Sequence, residues 1–244
     1  MRLRGAVAAA LVLVAVSGCT DGTTRSADPQ ETEGATNPRQ TPSGGAALAA
    51  LDSLTVRGWA PKTGYGRDRF GSPWADTDSN GCDTRDDILG RDLTNVKFTD
   101  GNCKVASGLL ASDPYSGEAI GYARGRSQVD IDHIVALSNA WQTGAGKWDP
   151  SKRIALANDP LNLLAVGATP NRSKGDGDAS TWLPSNKAYQ CSYVALQVAV
   201  KKKYELWVTA AEKAAMKNVL AGCRSQKLPS GGNPTKAPDR FHAN

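Results

Sequence analysis

Histidine is nearly absent from this chain: its 244 residues contain two, His133 and His242. That scarcity excludes sites built from several imidazoles, and without an HExxH pair the usual helix-borne catalytic zinc has no seat. A GxSxG elbow is missing too, which removes the common serine-hydrolase arrangement. Glycine and proline together make up 38 of 244 residues, below the proportion of low-complexity chains, so irregular regions are local. No apolar run approaches the ~20 residues needed to span a bilayer. The run Ala6 to Val16 is 11 residues long and follows Arg2 and Arg4, which reads as an export signal over residues 1–18. The body is then expected to be a soluble domain working outside the cytoplasm.

Cysteine is sparse as well, with five in the chain. Val16-Ser17-Gly18-Cys19 resembles the lipobox of bacterial lipoproteins, with Val16 where leucine is usual. The resemblance implies lipidation at Cys19 and a membrane-tethered protein, two acyl chains giving stable anchoring. An ordinary signal-peptidase site nearby is the alternative, and would leave the protein secreted. Four cysteines remain for two disulfides in an oxidising compartment, with three possible connectivities. Local pairing, Cys82–Cys103 and Cys191–Cys223, is the favoured one. A zinc site competes, but the close CxxC spacing it prefers is absent.

Residues 20–47 contain no aromatic, leucine, isoleucine or valine, so burial cannot offset the entropy of ordering them. Residues 19–48 are expected to be a flexible tether, and the Pro/Gly/polar residues 225–244 a disordered tail. The folded domain is therefore expected over 49–224. The leader's two arginines offset a net −2 over residues 19–50, so residues 51–244 carry the whole formal charge of +5. Such an excess suits a polyanion, an anionic envelope or plain solubility equally.

Within the domain, residues 54–80 read as a loop-rich entry. Asp86 to Leu93 reads as a short helix and Thr94 to Phe98 as a strand. Gln128 to Val135 and Leu161 to Val166 read as two further strands, with helices over Val135 to Thr143 and Ser151 to Ala157 between them. Tyr193, Leu196, Val200, Tyr204 and Trp207 recur at spacings of 3, 4, 4 and 3, one face of a helix whose other face carries Lys201 to Lys203. Thr209-Ala210-Ala211-Glu212 is a capping box opening a second helix that ends at Gly222. The two make a C-terminal helical hairpin.

His133 sits in Val129-Asp130-Ile131-Asp132-His133-Ile134-Val135. A neutral imidazole takes a proton from water near physiological pH, and a neighbouring carboxylate can hold a hard cation. Strand alternation would nevertheless point Asp132 and His133 to opposite faces, and a half-buried histidine beside a salt-bridged aspartate is the competing reading. Downstream stand Asp159-Pro160-Leu161-Asn162-Leu163-Leu164 and Asn171-Arg172-Ser173-Lys174-Gly175-Asp176. The three ordered blocks resemble the HNH nuclease superfamily, also called ββα-metal or His-Me finger nucleases. The chain is most similar to secreted actinobacterial HNH-type proteins related to the C-terminal domain of GmrSD-type restriction endonucleases, and its motifs also look like the HNH domain of RNA-guided CRISPR nucleases. The core motif covers about residues 128–184, with a weaker likeness from about Gly58 to Cys223.

The resemblance implies an α+β fold: a ββα-metal core with additional helices, the helical hairpin and disulfides. It implies His133 as general base, Asp132 and Asn171 as metal ligands, and Asn162 as the residue orienting the histidine. Two side-chain oxygens suit Mg²⁺, with Mn²⁺ as a substitute. The activity implied is endonucleolytic hydrolysis of DNA, with RNA left open as an alternative substrate, little sequence preference and 5′-phosphate products. Arg172 and Lys174 either clamp phosphates or form a solvated basic loop. Arg85 either reaches the cleft or makes a structural salt bridge. Asp130 is a supporting residue near the metal or simply exposed, and Asp176 and Asp178 suit a loop or helix start better than calcium. The tryptophans read as core, Trp182 being the best candidate for stacking on a base. The competing function is a catalytically silent lipoprotein that binds envelope polymers or a protein partner.

Overall fold

The computed structural model describes residues 45–99, 101–126 and 128–243. The leader, Cys19 and most of the expected tether lie outside the described residues. Three strands, β1 (Thr94–Phe98), β2 (Val105–Leu110) and β3 (Ile120–Ala123), form an antiparallel sheet in that order. A second antiparallel pair joins β4 (Val129–His133) to β5 (Leu163–Gly167), with Val129 opposite Gly167 and His133 opposite Leu163. Their long connection contains α3 (Leu137–Gln142) and α4 (Pro150–Ala157), and α5 (Ala168–Lys174) continues directly from β5. This is a strand–strand–helix unit inside an α+β domain, the class expected from the sequence. Around it lie α1 (Ala46–Ser53), α2 (Thr84–Asp92), α6 (Gln190–Tyr204) and α7 (Ala210–Ala221). No helix among the described residues is long and apolar enough to cross a membrane.

Both faces of the β4–β5 pair are covered, and the two-residue period of a strand sorts its side chains between them. Val129, Ile131, Leu163 and Ala165 pack with Ile88, Leu89 and Leu93 on the side of α2. Leu164 and Val166 face the opposite core, which α1, α6 and α7 line. Helix α2 starts where Asp83 accepts the Asp86 backbone N–H, and α7 starts on a complete Thr209–Glu212 capping box, as its sequence indicates.

Helix α6 departs from its expected pattern in two places. It stops at Tyr204, because Glu205 adopts a left-handed conformation (φ 59°), so Trp207 lies beyond it. Lys201 is not on a solvated face but fully buried: its Nζ pairs with Glu212 at 3.0 Å and donates to Asn139 Oδ1 at 2.9 Å. A charge buried with its partner and hydrogen-bonded is tolerated where a lone one is not.

Both disulfides have the local connectivity, Cys82–Cys103 and Cys191–Cys223. The second closes the open end of the α6–α7 hairpin. Replacing Cys191 and Cys223 together with serine is expected to cost about 3–4 kcal/mol by the chain-entropy argument, read by urea unfolding. A loss below about 1 kcal/mol would show that helix packing alone holds that end.

Residues 225–243 differ from the expected loose tail. They contain no helix or strand, yet they are tied along the domain. Lys203 Nζ donates to the carbonyls of Gly231 (3.0 Å) and Asn233 (2.6 Å) while pairing with buried Asp159. Ala237 is buried, its N–H bonded to Ser151 O, and Arg240 donates to Asp76 O and Ser79 Oγ. Composition missed this because the anchors belong to distant segments.

Candidate active site

Strand β4 decides the geometry. His133 follows Val129 and Ile131 onto the α2 face, whereas Asp132 follows Asp130 onto the other, as alternation requires. The His133 ring is 8% exposed and lines a cleft of about 530 Å³ with Arg67, Phe70, Trp74, Asn158 and His242. Its Nε2 lies 2.9 Å from Ala157 O at the end of α4. A carbonyl can only accept, so Nε2 carries the proton and Nδ1 keeps a basic lone pair. The Trp74 indole lies nearly parallel to the imidazole, with planes 9° apart and centroids at 6.1 Å.

Burial lowers the His133 pKa to about 4, helped by the positive charges of Arg67 and Lys174 and opposed by the bond to Ala157. The ring is therefore neutral at physiological pH, the form a base needs. Because the folded chain resists protonation here, the stability contribution is complete above the ordinary value of ~6.5 and lost as pH falls toward 4, about 3 kcal/mol in all. If His133 is the base, the acid limb of any hydrolytic rate lies near pH 4–5, and a pH–kcat/KM profile breaking at 6.5 would contradict the environment described.

Asn162 is fully buried between the two strand ends. Its Oδ1 accepts the Val135 N–H at 2.8 Å, its Nδ2 faces the carbonyls of Val135 and Leu156, and its own carbonyl accepts the Ile134 N–H. It fixes the backbone just after His133 and, through Leu156, the end of α4 that supplies the histidine's acceptor. The side chain thus holds the backbone around His133 without touching its ring.

The other expected site residues lie elsewhere. Asp132 is 7% exposed and internally paired: Lys174 Nζ is 2.9 Å from Oδ2 and 3.0 Å from Oδ1, and Tyr115 Oη donates to Oδ2 at 2.5 Å. Lys174 is completely buried and also donates to His133 O at 2.8 Å, so it is not available as an outward phosphate clamp. Burial pushes the Asp132 carboxyl up, against the pull of that ammonium. Asn171 donates to Asp130 Oδ2 at 3.3 Å, and Arg172 is exposed on α5. Arg85 lies 6.0 Å over the Trp74 ring, a supporting contact and not a cleft position. Trp182 packs edge-on against Tyr115 and Tyr193, making it core and not a stacking platform.

These residues do not fit a divalent ion as they are arranged. The position against the Asp132 carboxylate that a cation would take is filled by the Lys174 ammonium, and His133 faces away from it. No cluster of three or more His, Cys, Asp or Glu suited to a metal occurs among the described residues.

Sequence reasoning missed Arg67, Trp74, Asn158 and His242, which share the cleft with His133. Only the RGWAPKTGYGRDRFGSPW stretch, dense in aromatics and arginine, carried a signal for the first two. Gly71 marks the close approach there: its φ is +82°, and a Cβ would meet Ile154 Cγ1 at 2.8 Å.

Against known proteins, the family model for the C-terminal domain of GmrSD restriction endonucleases matches residues 83–219. A protein of Arthroderma benhamiae described as an uncharacterized secreted protein is 44% identical over 188 residues, covering 76% of this chain and 89% of its own length. No solved structure matches the chain.

Proposed function

The chain belongs to the family of the C-terminal domain of GmrSD restriction endonucleases, and on that footing we propose that it hydrolyses phosphodiester bonds of nucleic acid with His133 as general base. The observation that carries the reading is the imidazole at the cleft wall, held neutral by burial with one nitrogen committed to Ala157 O and the other left basic. In the proposed reaction His133 Nδ1 takes a proton from water as the water oxygen attacks phosphorus. The bond to the 3′ oxygen breaks, that oxygen is protonated from solvent, and a 5′-phosphate end remains. Arg67, beside the ring, supplies positive charge where the phosphorane becomes more negative. Asn162 holds the base in place.

No step is routed through a metal, because Asp132 is committed to Lys174 and Tyr115, and Asn171 to Asp130. Mg²⁺ or Mn²⁺ enters the reading only if Asp132 exchanges Lys174 for the ion with Asn171 as second ligand. DNA is the proposed substrate, RNA a further one. With no base-reading element in the sequence, backbone contacts dominate, and binding should weaken as salt rises. Two disulfides and a secreted relative support an extracytoplasmic setting, and a lipid anchor at Cys19 is the finer proposal.

The test is cleavage of plasmid and oligonucleotide DNA by the full chain with both disulfides formed, with Mg²⁺, with Mn²⁺ and with EDTA. Cleavage under any of these conditions supports the reading, and the EDTA arm decides whether the Lys174 exchange occurs. A folded, oxidised chain that cuts neither substrate under any of them overturns it.

A further inference from the structure

The cleft beside His133 contains more than a base needs. Asn158 is 1% exposed and lines it; its Nδ2 donates to Ile154 O at 3.0 Å, but its Oδ1 is buried without a hydrogen-bond partner. A buried acceptor left unpaired is destabilising in the free protein and is satisfied when a ligand brings a donor. Trp74 is a second anomaly. Its φ of 61° is a left-handed conformation that a bulky residue adopts only under constraint. The constraint is visible: the Thr84 N–H bonds to Trp74 O, and the Arg85 guanidinium lies over the indole. Trp74 is half-buried and lines the cleft beside the proposed base, with Phe70 and Leu137 adding apolar wall and Arg67 a cation.

We propose that this cleft is a subsite for one unpaired nucleobase, so that the substrate is single-stranded nucleic acid. The base stacks against Trp74, its amino or ring N–H donates to Asn158 Oδ1, and its phosphate meets Arg67 next to His133. Three features fit that occupant together. The volume of about 530 Å³ is that of a small-ligand pocket and admits a nucleotide but not a duplex. An aromatic face serves any base, as in sequence-tolerant single-strand binding. The acceptor suits a base edge exposed only when unpaired or flipped out. The proposal rests on the nuclease reading for its place beside His133, but its binding test does not need catalysis.

Binding of dAMP and of 2-deoxyribose 5-phosphate to the full chain is compared by calorimetry, and cleavage is compared on a single strand, its duplex and strands with one abasic nucleotide at successive positions. Expected are at least tenfold tighter binding of dAMP, on the order of tenfold faster cutting of the single strand, and slow cutting when the abasic position lies beside the scissile bond. Trp74→Gly removes the ring while suiting φ 61°, so it should abolish the dAMP advantage in a chain that far-ultraviolet circular dichroism shows to be still folded. Asn158→Leu should weaken dAMP binding while leaving Tm unchanged or raised, the opposite of what a structural asparagine would give. A dAMP advantage without any cleavage keeps the subsite and removes the nuclease reading. Cleavage with equal binding of the two ligands and equal rates on all strands keeps the nuclease and overturns the subsite.

Discussion

His133→Ala is expected to lower phosphodiester cleavage by about 10²–10⁴-fold, the usual contribution of a positioned general base. The loss should fall on kcat, since the ring accepts a proton in the transition state and binds little of the ground state. His133→Asn is the companion variant: it keeps a side-chain donor for Ala157 O but has no basic nitrogen, so it should be as inactive as alanine while disturbing the wall less. Near-ultraviolet circular dichroism separates lost chemistry from lost packing, because the imidazole lies parallel to Trp74. Residual activity within threefold of the parent chain would remove His133 from the reaction. His242 would then be the group to replace, being the other histidine of the chain and on the same cleft wall.

Lys174→Met is expected to produce the largest stability loss. It leaves the Asp132 carboxylate buried with Tyr115 Oη as its remaining side-chain partner, and breaking one side of a buried pair costs about 3–5 kcal/mol. For a domain of this size that lowers Tm by roughly 10–15 °C. The double variant Asp132→Asn/Lys174→Met should recover most of the loss, because an amide has no charge to strand and still accepts from Tyr115. Calorimetry of both variants, with and without Mg²⁺, separates the two roles open to Asp132. A structural pair shifts Tm whatever the ion. A Lys174→Met chain that melts within 2 °C of the parent and gains Mg²⁺ affinity would show the carboxylate to be a metal ligand with a dispensable lysine.

The same pair shows where legibility stops. Elements whose pattern is local were readable: β4 and β5 from their β-branched and apolar runs, α7 from its capping box, and β1 over its whole length. The Asn162 clamp came from the family resemblance and lies where it can act on the strand end. Strands β2 and β3 escaped because VASGLL and IGYA lack alternation and owe their pairing to one another. Gly108 is small because Leu93 packs on it, a tertiary cause. Lysines read as surface by default, yet Lys174 and Lys201 are buried because Asp132 and Glu212 reach them from other elements, 42 and 11 residues away. The tail read as disordered because Lys203 and Asp159, which hold it, are invisible in its own composition. Alternation in β4 was the one local rule that correctly foretold a limit, the separation of Asp132 from His133.

The walls of the cleft have a consequence for how such a protein diversifies. His133, Asn158 and Asn162 lie inside the span shared with the family, residues 83–219, whereas Arg67, Trp74 and His242 lie outside it on both sides. The strand–strand–helix unit that carries His133 thus belongs to the shared span, while the cleft around it is completed from two flanks outside that span. Substitutions in those flanks would reshape the mouth of the cleft without touching the buried Asn162 clamp, so under the proposed function a change of substrate is to be sought in the flanks before the shared span.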